Sequence, residues 1–343
     1  MFGFILRRGL TLILACAAVA ATASPYTSLT VFGDSLSDGG NAYAYTGNNF
    51  PPAPYAQRFS DGPVAVEWIA ANLGLSLTPS LLGGSNYAFG GAETGWTNYL
   101  RFNSNTFVAA AFSGNDTGVL AQVAGFTSAH SADPTGLVVL WAGPNHLFSA
   151  LESASNPALA MSMAVTNLQL AAQQLVLDGV RTLLLPNMPD IGQTPFGQAS
   201  GFAPQLSAIS VFFNANLHTM VTALAATEPE LNMIEFDTFA LFNSIINDPT
   251  AYGFSNVTQP CLSGLVVCAN PAEYLFWDSV HPTTQAHQLI GDLWLSATSV
   301  PEPPMLALML LALLGIGASR RRTGSHIVGL RVVGFAHSRS ISR

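Results

Sequence analysis

Short apolar runs along the chain alternate with longer stretches in which apolar residues recur at helical spacing. Residues 29–32 (Leu-Thr-Val-Phe) and residues 136–141, which contain Leu-Val-Val-Leu, predict two buried strands. Residues 181–185 and 232–236 predict two more. In open sheets built from such strands, ligands bind at the carboxyl ends, so we expect the chemistry in the segments that follow them.

Amphipathic helices are predicted between these strands. The clearest pattern spans residues 206–224, where apolar side chains recur every three or four positions: Leu206, Ile209, Phe213, Leu217, Met220 and Leu224. Further helices are predicted at residues 63–73, at residues 158–178 and, after a Thr283 cap, up to residue 297. This alternation predicts an α/β domain with a parallel sheet covered on both faces. We see no linker that would divide residues 24–299.

Charged residues are scarce and unevenly placed. The chain has no lysine, and eight of its eleven arginines lie in the two terminal segments. Residues 24–299 hold three arginines against eighteen acidic residues, a net charge of −15 with neutral histidines. Such a body repels phosphate backbones, which argues against nucleic acid as a partner.

The first 23 residues are typical of a secretory signal peptide. Arg7 and Arg8 precede an apolar run at residues 10–20, and residues 21–23 (Ala-Thr-Ala) form a small-x-small cleavage site. The alternative is a retained membrane anchor, for which this apolar run is short. We therefore expect the body of the chain to be exported.

Residues 300–322 resemble a PEP-CTERM sorting signal. Pro301-Glu302-Pro303 is followed by an apolar run at residues 305–318 and by three arginines at residues 320–322. The resemblance implies a Gram-negative bacterium, transient membrane anchoring, removal of the tail by an exosortase, and a cell-surface, matrix or secreted location. A helix over the run spans only about 21 Å, against about 30 Å of hydrocarbon core. Residues 323–343 show no helical or strand pattern, so we expect a disordered extension there.

Two cysteines remain after removal of the signal. Cys261 and Cys268 lie close together in a polar stretch that contains glycine and proline. In an oxidising compartment we expect them to form a disulfide. Two reduced thiols are the alternative, and zinc is disfavoured because no other histidine or cysteine stands at ligand spacing.

A candidate nucleophile follows the first predicted strand. Gly33-Asp34-Ser35-Leu36 combines a glycine that permits a sharp turn with an exposed hydroxyl. A serine hydroxyl needs a base within hydrogen-bond reach, and that base needs an orienting group. Alone, such a block is more often an ordinary turn.

The candidate base and its partner lie far downstream. Asp278 and His281 are three residues apart, with Pro282 next, just ahead of the last predicted helix. His281 is suited to take the proton of Ser35, and Asp278 to hold the imidazole in the required tautomer. A surface aspartate and a structural histidine are the alternative for this pair in isolation.

Two intermediate segments carry candidate oxyanion donors. One block, residues 86–92, contains the paired glycines Gly90 and Gly91, which let a backbone N–H approach a substrate oxygen. The other places Asn145 directly after the strand at residues 136–141. With the N–H of Ser35, these groups fit an oxyanion hole for acyl transfer.

Together the four segments resemble the GDSL lipase/esterase family, also called SGNH hydrolases. The resemblance covers about residues 29–295 and implies a flavodoxin-like three-layer α/β/α fold with about five parallel strands. It also implies ester hydrolysis at Ser35, Asp278 and His281 without cofactor or metal, with Ser35, Gly91 and Asn145 as oxyanion donors. One departure is His146, because the family usually has aspartate after the asparagine.

The substrate is left open by the sequence. The preferred hypothesis is an exported esterase acting on lipid or short-acyl esters. The alternatives are an O-deacetylase of extracellular polysaccharide and a non-catalytic surface or matrix protein. Four aromatic residues lie in the loop before the first predicted helix: Tyr43, Tyr45, Phe50 and Tyr55. These side chains and Trp96 either line the substrate pocket or anchor loops.

Overall fold

A computed structural model describes residues 24–298, apart from residues 104 and 115. The predicted signal peptide, the sorting signal and the extension at residues 323–343 lie outside the described residues. The strands are β1 (Leu29–Gly33), β2 (Leu137–Trp141), β3 (Thr182–Pro186), β4 (Asn232–Phe236), β5 (Asn256–Pro260), β6 (Leu262–Ser263), β7 (Val266–Val267) and β8 (Tyr274–Phe276).

The helices lie between the successive strands β1 to β4 and after β4. They are α1 (Asn41–Tyr45), α2 (Ala65–Asn72), α3 (Thr106–Phe112), α4 (Val119–Ala129), α5 (Pro144–Glu152), α6 (Pro157–Leu177), α7 (Pro195–Ser200), α8 (Ala203–Thr227), α9 (Thr238–Asn247) and α10 (Thr284–Thr298). The predicted cap of the last helix is present, because the Thr283 hydroxyl accepts the N–H of Ala286 at 3.3 Å.

The central sheet is parallel, with strand order β1-β2-β3-β4. Its register aligns the carboxyl ends of neighbouring strands: Gly33 pairs with Trp141, and Pro186 pairs with Phe236. The segments that leave β1 and β2 therefore emerge side by side at one edge of the sheet. This edge holds the candidate nucleophile and the candidate amide donor.

Two apolar layers cover the sheet, as expected for a three-layer α/β/α fold. Side chains of α4, α6 and α8 pack with Phe32, Leu140 and Leu185 on one face. Side chains of α2, α9 and α10 pack with Val31, Val139 and other residues on the opposite face. Successive side chains of a strand point to opposite faces of the sheet, so one buried apolar run contributes side chains to both layers.

The expected fifth strand position is taken by an extended segment. The N–H of Val31 donates to Ser85 at 3.0 Å, and the N–H groups of Tyr87 and Phe89 donate back to β1 at 2.7 and 3.1 Å. One parallel bridge, between Val31 and Asn86, is formed. On its other side, Asn86 exchanges backbone hydrogen bonds with the chain at Thr78 and Ser80.

Helix α8 is long and apolar enough to cross a membrane by length and composition. Its buried residues form one stripe that packs in the core: Leu206, Ser210, Phe213, Leu217, Met220, Val221 and Leu224. The stripe shows that α8 is a core helix of the α/β domain.

Outside the central sheet, a small hairpin carries the two cysteines. Strands β6 and β7 pair antiparallel, and a disulfide joins Cys261 to Cys268. The hairpin is tied to the chain that follows β8, because the N–H of Leu262 donates to the carbonyl of Trp277 at 2.7 Å. The disulfide thus lies next to the segment that leads to Asp278.

Candidate active site

Ser35 stands in a tight turn directly after β1. The turn needs a glycine at position 33, because a Cβ there would lie 2.3 Å from the carbonyl oxygen of Trp141 on the neighbouring strand. The N–H of Leu36 donates to the Asp34 carboxylate at 3.0 Å, and the N–H of Ser37 donates to the Asp34 carbonyl at 3.0 Å. These contacts fix the turn and present the Ser35 side chain to a pocket at the sheet edge.

The three residues proposed as nucleophile, base and orienting group meet in one chain of hydrogen bonds. The Ser35 Oγ lies 2.8 Å from Nε2 of His281, and Nδ1 of His281 lies 2.7 Å from Oδ2 of Asp278. An ionised carboxylate has only acceptors, so Nδ1 carries the ring proton and Nε2 accepts from the serine hydroxyl. The turn is closed by the N–H of Trp277, which donates to the His281 carbonyl at 2.7 Å.

The electrostatics favour an ionised Asp278 beside a basic imidazole. Burial raises the pKa of Asp278, but His281 and the N–H groups of Val280 and His281 outweigh this and bring it below its ordinary value. Burial lowers the pKa of His281, yet the Asp278 carboxylate outweighs burial and raises it above the ordinary value. The pair can therefore accept the serine proton and stabilise the resulting imidazolium.

Two backbone N–H groups are available as oxyanion donors. Within the described part of the chain, the N–H groups of Ser35 and Gly91 have no hydrogen-bond partner, and both residues line the pocket. Gly91 has a φ of +75°, and a Cβ there would lie 2.5 Å from the Asn98 side-chain oxygen, so the position requires glycine. The neighbouring N–H of Gly90 is already used, because it donates to Oδ2 of Asp38 at 2.7 Å. This geometry favours Gly91 over Gly90 as the donor.

Asp38 connects the serine turn to the glycine block. Its carboxylate accepts the N–H groups of Gly40, Asn41 and Ala42 at the start of α1, in addition to that of Gly90. Burial raises its pKa to about 6 although these four N–H groups lower it. Asp38 therefore fixes the backbone that precedes Gly91, a role that the sequence analysis did not assign.

Asn145 lies in the first turn of α5 and lines the same pocket. Its amide Nδ2 donates to the Ala92 carbonyl at 3.1 Å and makes a longer contact of 3.4 Å to Oδ2 of Asp34. The shorter bond orients the amide, and the longer one is weak enough for a substrate oxygen to replace. Burial raises the pKa of Asp34 to about 7, although the N–H of Leu36 and the nearby His281 lower it.

His146, the departure from the family pattern, is placed away from the reacting groups. Its Nδ1 accepts the N–H of Thr94 at 3.2 Å, and burial lowers its pKa. The ring is therefore a neutral structural side chain beside Glu93. His287 is also structural, because it is fully buried and its Nδ1 accepts the N–H of Ala65 at 3.2 Å.

The pocket is lined mainly by apolar side chains. Those that the sequence analysis did not single out come from several loops and helices: Leu36, Phe59, Tyr99, Leu100, Trp141, Phe148, Ile191, Phe242 and Val280. Of the aromatic residues considered earlier, Tyr45 and Phe50 pack in a cluster around Phe59 and act as loop anchors. Tyr55 instead donates its hydroxyl to Oδ2 of Asp278 at 2.8 Å. A pocket assembled from distant segments leaves no local periodicity for a sequence pattern to reveal.

Among residues 24–298, leaving aside the two undescribed positions, no group of three or more histidine, cysteine or acidic side chains is arranged to hold a metal ion.

Comparison with known proteins gives the family. The profile of the family described as GDSL-like Lipase/Acylhydrolase matches residues 29–294. Phosphatidylcholine-sterol acyltransferase of Aeromonas hydrophila is 26% identical over 78% of this chain and 88% of that protein. Lipase 1 of Photorhabdus luminescens is 25% identical over 83% of this chain, which spans only 52% of that lipase.

A solved structure of a lipolytic G-D-S-L protein from Veillonella parvula is 14% identical, with a TM-score of 0.43, over 79% of this chain and 97% of that one. The profile match alone extends from β1 to the last turns of α10 and includes all four segments of the site. The chain therefore belongs to the GDSL-like lipase/acylhydrolase family and is a carboxylic ester hydrolase.

Proposed function

We propose that this protein is an exported serine esterase that cleaves its substrate through an acyl-enzyme on Ser35. The observation that carries the proposal is the continuous hydrogen-bonded path from Ser35 through His281 to Asp278. The Ser35 end of this path faces a pocket that is also lined by Gly91, and the N–H groups of Ser35 and Gly91 have no partner among the described residues. A nucleophile, its base, an orienting carboxylate and oxyanion donors are the complete requirement for acyl transfer.

The proposed reaction has two halves. Oγ of Ser35 attacks the ester carbonyl while Nε2 of His281 takes its proton, and the oxyanion is held by the N–H groups of Ser35 and Gly91 and the amide of Asn145. The imidazolium then gives its proton to the departing alcohol, which leaves the acyl group on Ser35. Water attacks this ester with His281 again as the base, and the free acid and the serine hydroxyl are regenerated.

The pocket supports a substrate with an apolar chain next to the scissile ester. Phe148, Ile191, Phe242 and Val280 present hydrocarbon to the space beside Ser35. Each buried methylene contributes about 0.8 kcal/mol of transfer free energy, which such a pocket can recover on binding. A carbohydrate substrate would need more hydrogen-bonding groups than these side chains offer.

Export is proposed from the two terminal signals and from the cysteines. The disulfide between Cys261 and Cys268 is of the kind that persists in oxidising compartments. We propose that the signal peptide is removed after residue 23, and that an exosortase removes the C-terminal tail after transient anchoring in the membrane. The mature enzyme then acts at the surface, in the matrix or in the medium of a Gram-negative cell.

The first prediction concerns the nucleophile. Ser35→Ala should lower kcat for p-nitrophenyl esters by at least about 10⁴-fold, because it removes the hydroxyl that is hydrogen-bonded to Nε2 of His281. Ser37→Ala is the matched control, since Ser37 is buried two residues away and its hydroxyl has no partner within residues 24–298. Similar activity in the two variants would contradict the assignment.

The second prediction concerns the oxyanion. Asn145→Ala should lower kcat about 10²- to 10³-fold with little change in KM, because the amide acts on charge that develops in the transition state. Asn167→Ala, outside the pocket, should keep the parental rate. If KM rises while kcat is unchanged, Asn145 binds the ground state and is not an oxyanion donor.

The third prediction concerns the acyl chain. The value of kcat/KM for p-nitrophenyl butyrate should exceed that for the acetate by about tenfold, since two further methylenes enter the apolar pocket. Acetate release from O-acetylated polysaccharide should be slow in a parallel assay. Activity confined to acetyl esters would overturn the proposed chain preference and favour a deacetylase.

The fourth prediction concerns processing. Mass spectrometry of the protein recovered from a Gram-negative host that carries an exosortase should show a chain that begins at Ser24 and lacks the apolar tail. A cytoplasmic chain with both ends intact would contradict export.

A further inference from the structure

Tyr55 contacts the orienting carboxylate from outside the pocket. Its hydroxyl donates to Oδ2 of Asp278 at 2.8 Å, the same oxygen that accepts Nδ1–H of His281 at 2.7 Å. Tyr55 is absent from the residues that line the substrate pocket. Tyr55 is therefore hydrogen-bonded to the chain of Ser35, His281 and Asp278 but does not line the space where a substrate binds.

The hydroxyl completes the hydrogen bonding of a buried carboxylate. Oδ1 of Asp278 accepts the N–H groups of Val280 and His281 at 2.8 and 2.7 Å, and Oδ2 accepts His281 and Tyr55. A carboxylate has about four acceptor positions, so each oxygen of Asp278 is held by two donors. Three of these donors belong to the same turn as Asp278, and Tyr55 is the one supplied by a distant segment.

The ring of Tyr55 is itself held in place. It packs edge-to-face on Trp277 with ring centroids 6.0 Å apart. Both rings belong to the cluster formed with Cys261 and Leu262 beside the disulfide hairpin. Burial and the adjacent Asp278 raise the pKa of Tyr55, so the phenol keeps its proton and acts as a donor.

We propose that Tyr55 is a positioning residue for the reaction, one that holds Asp278 in the orientation at which His281 can receive the proton of Ser35. This inference rests on the proposed function. The donors of its own turn already hold both oxygens of Asp278, and the Tyr55 hydroxyl adds a hydrogen bond from a second segment that keeps Oδ2 beside Nδ1 of His281. Tyr55 also shares the charge of Oδ2, so His281 faces a weaker acceptor than an otherwise bare oxygen would be.

Removal of the Tyr55 hydroxyl is expected to raise the pKa of His281. Without the phenol, Oδ2 carries more of the negative charge and stabilises the imidazolium of His281 more strongly, so the pKa of His281 rises. The other titratable groups that act on the ring are Asp34 from the serine turn and His287 from α10, and neither is changed by the substitution. The neutral imidazole required as a base then exists only at higher pH.

Tyr55→Phe tests the proposal, because it removes the hydroxyl and keeps the ring on Trp277. We expect kcat to fall about fivefold with KM unchanged, the size expected for loss of one hydrogen bond that orients a catalytic group. The acidic limb of the kcat/KM profile should move to higher pH. Parental kcat together with an unmoved acidic limb would overturn the proposal.

Tyr45→Phe is the matched control, at the last residue of α1 and ten positions before Tyr55. The Tyr45 hydroxyl donates to the Ala111 carbonyl at 3.3 Å, away from Asp278, so its removal should leave kcat and the pH profile as in the parent. An equal loss in both variants would show a general effect of the loop and would overturn a specific role for Tyr55.

NMR titration of the His281 ring in the parent and in Tyr55→Phe separates this inference from the proposed function. A higher His281 pKa in the variant supports the contact between Tyr55 and Asp278 even if the parent were to hydrolyse no ester. An unchanged pKa contradicts it, whatever the activity of the parent.

Discussion

The hydrogen bond between Oγ of Ser35 and Nε2 of His281 is the contact on which the rest of the site depends. It joins two residues 246 positions apart, one after the first strand of the sheet and one just before the last helix. Neither group is useful alone, because serine is a weak nucleophile and histidine needs an acceptor for its other ring proton. The fold brings them within 2.8 Å by ending β1 at the catalytic edge and by packing α10 against α2 on one face of the sheet.

The environment of this contact is built mainly by backbone N–H groups. Asp38 accepts the N–H of Gly90, while the N–H of the pocket-lining Gly91 has no partner among the described residues, and Asp278 is held by the N–H groups of its own turn. Such donors are fixed by the fold and need little reorganisation when charge develops in the transition state. Burial of the carboxylates is tolerated because these hydrogen bonds replace water around them.

The sequence was informative where physical constraints are local. Strand β4 coincides with the prediction, and helix α8 extends the predicted residues 206–224 by about a turn at each end, because an apolar stripe of period 3.6 reports burial directly. The motif residues around Ser35 and His281 could be named because four segments, in their order along the chain, resemble the GDSL lipase/esterase family. Helix α1 was missed, since five residues are too few to show periodicity.

Contacts between distant segments could not be predicted from the sequence. The role of Tyr55 depends on a loop that folds back onto Asp278, 223 residues away, and no local pattern encodes that meeting. The fifth strand position is likewise formed by contacts of Asn86 with segments on both of its sides, and these contacts leave no alternating pattern in the sequence. The apolar lining of the pocket combines residues from helices and loops that have no common spacing.

The most direct test of the account is a crystal structure of the protein after reaction with a p-nitrophenyl alkylphosphonate. The account predicts phosphorus bonded to Oγ of Ser35, with the phosphonyl oxygen within about 3 Å of the N–H of Gly91 and the amide of Asn145. It would be contradicted by a folded protein that forms no adduct on Ser35, or by an adduct whose phosphonyl oxygen faces away from these donors.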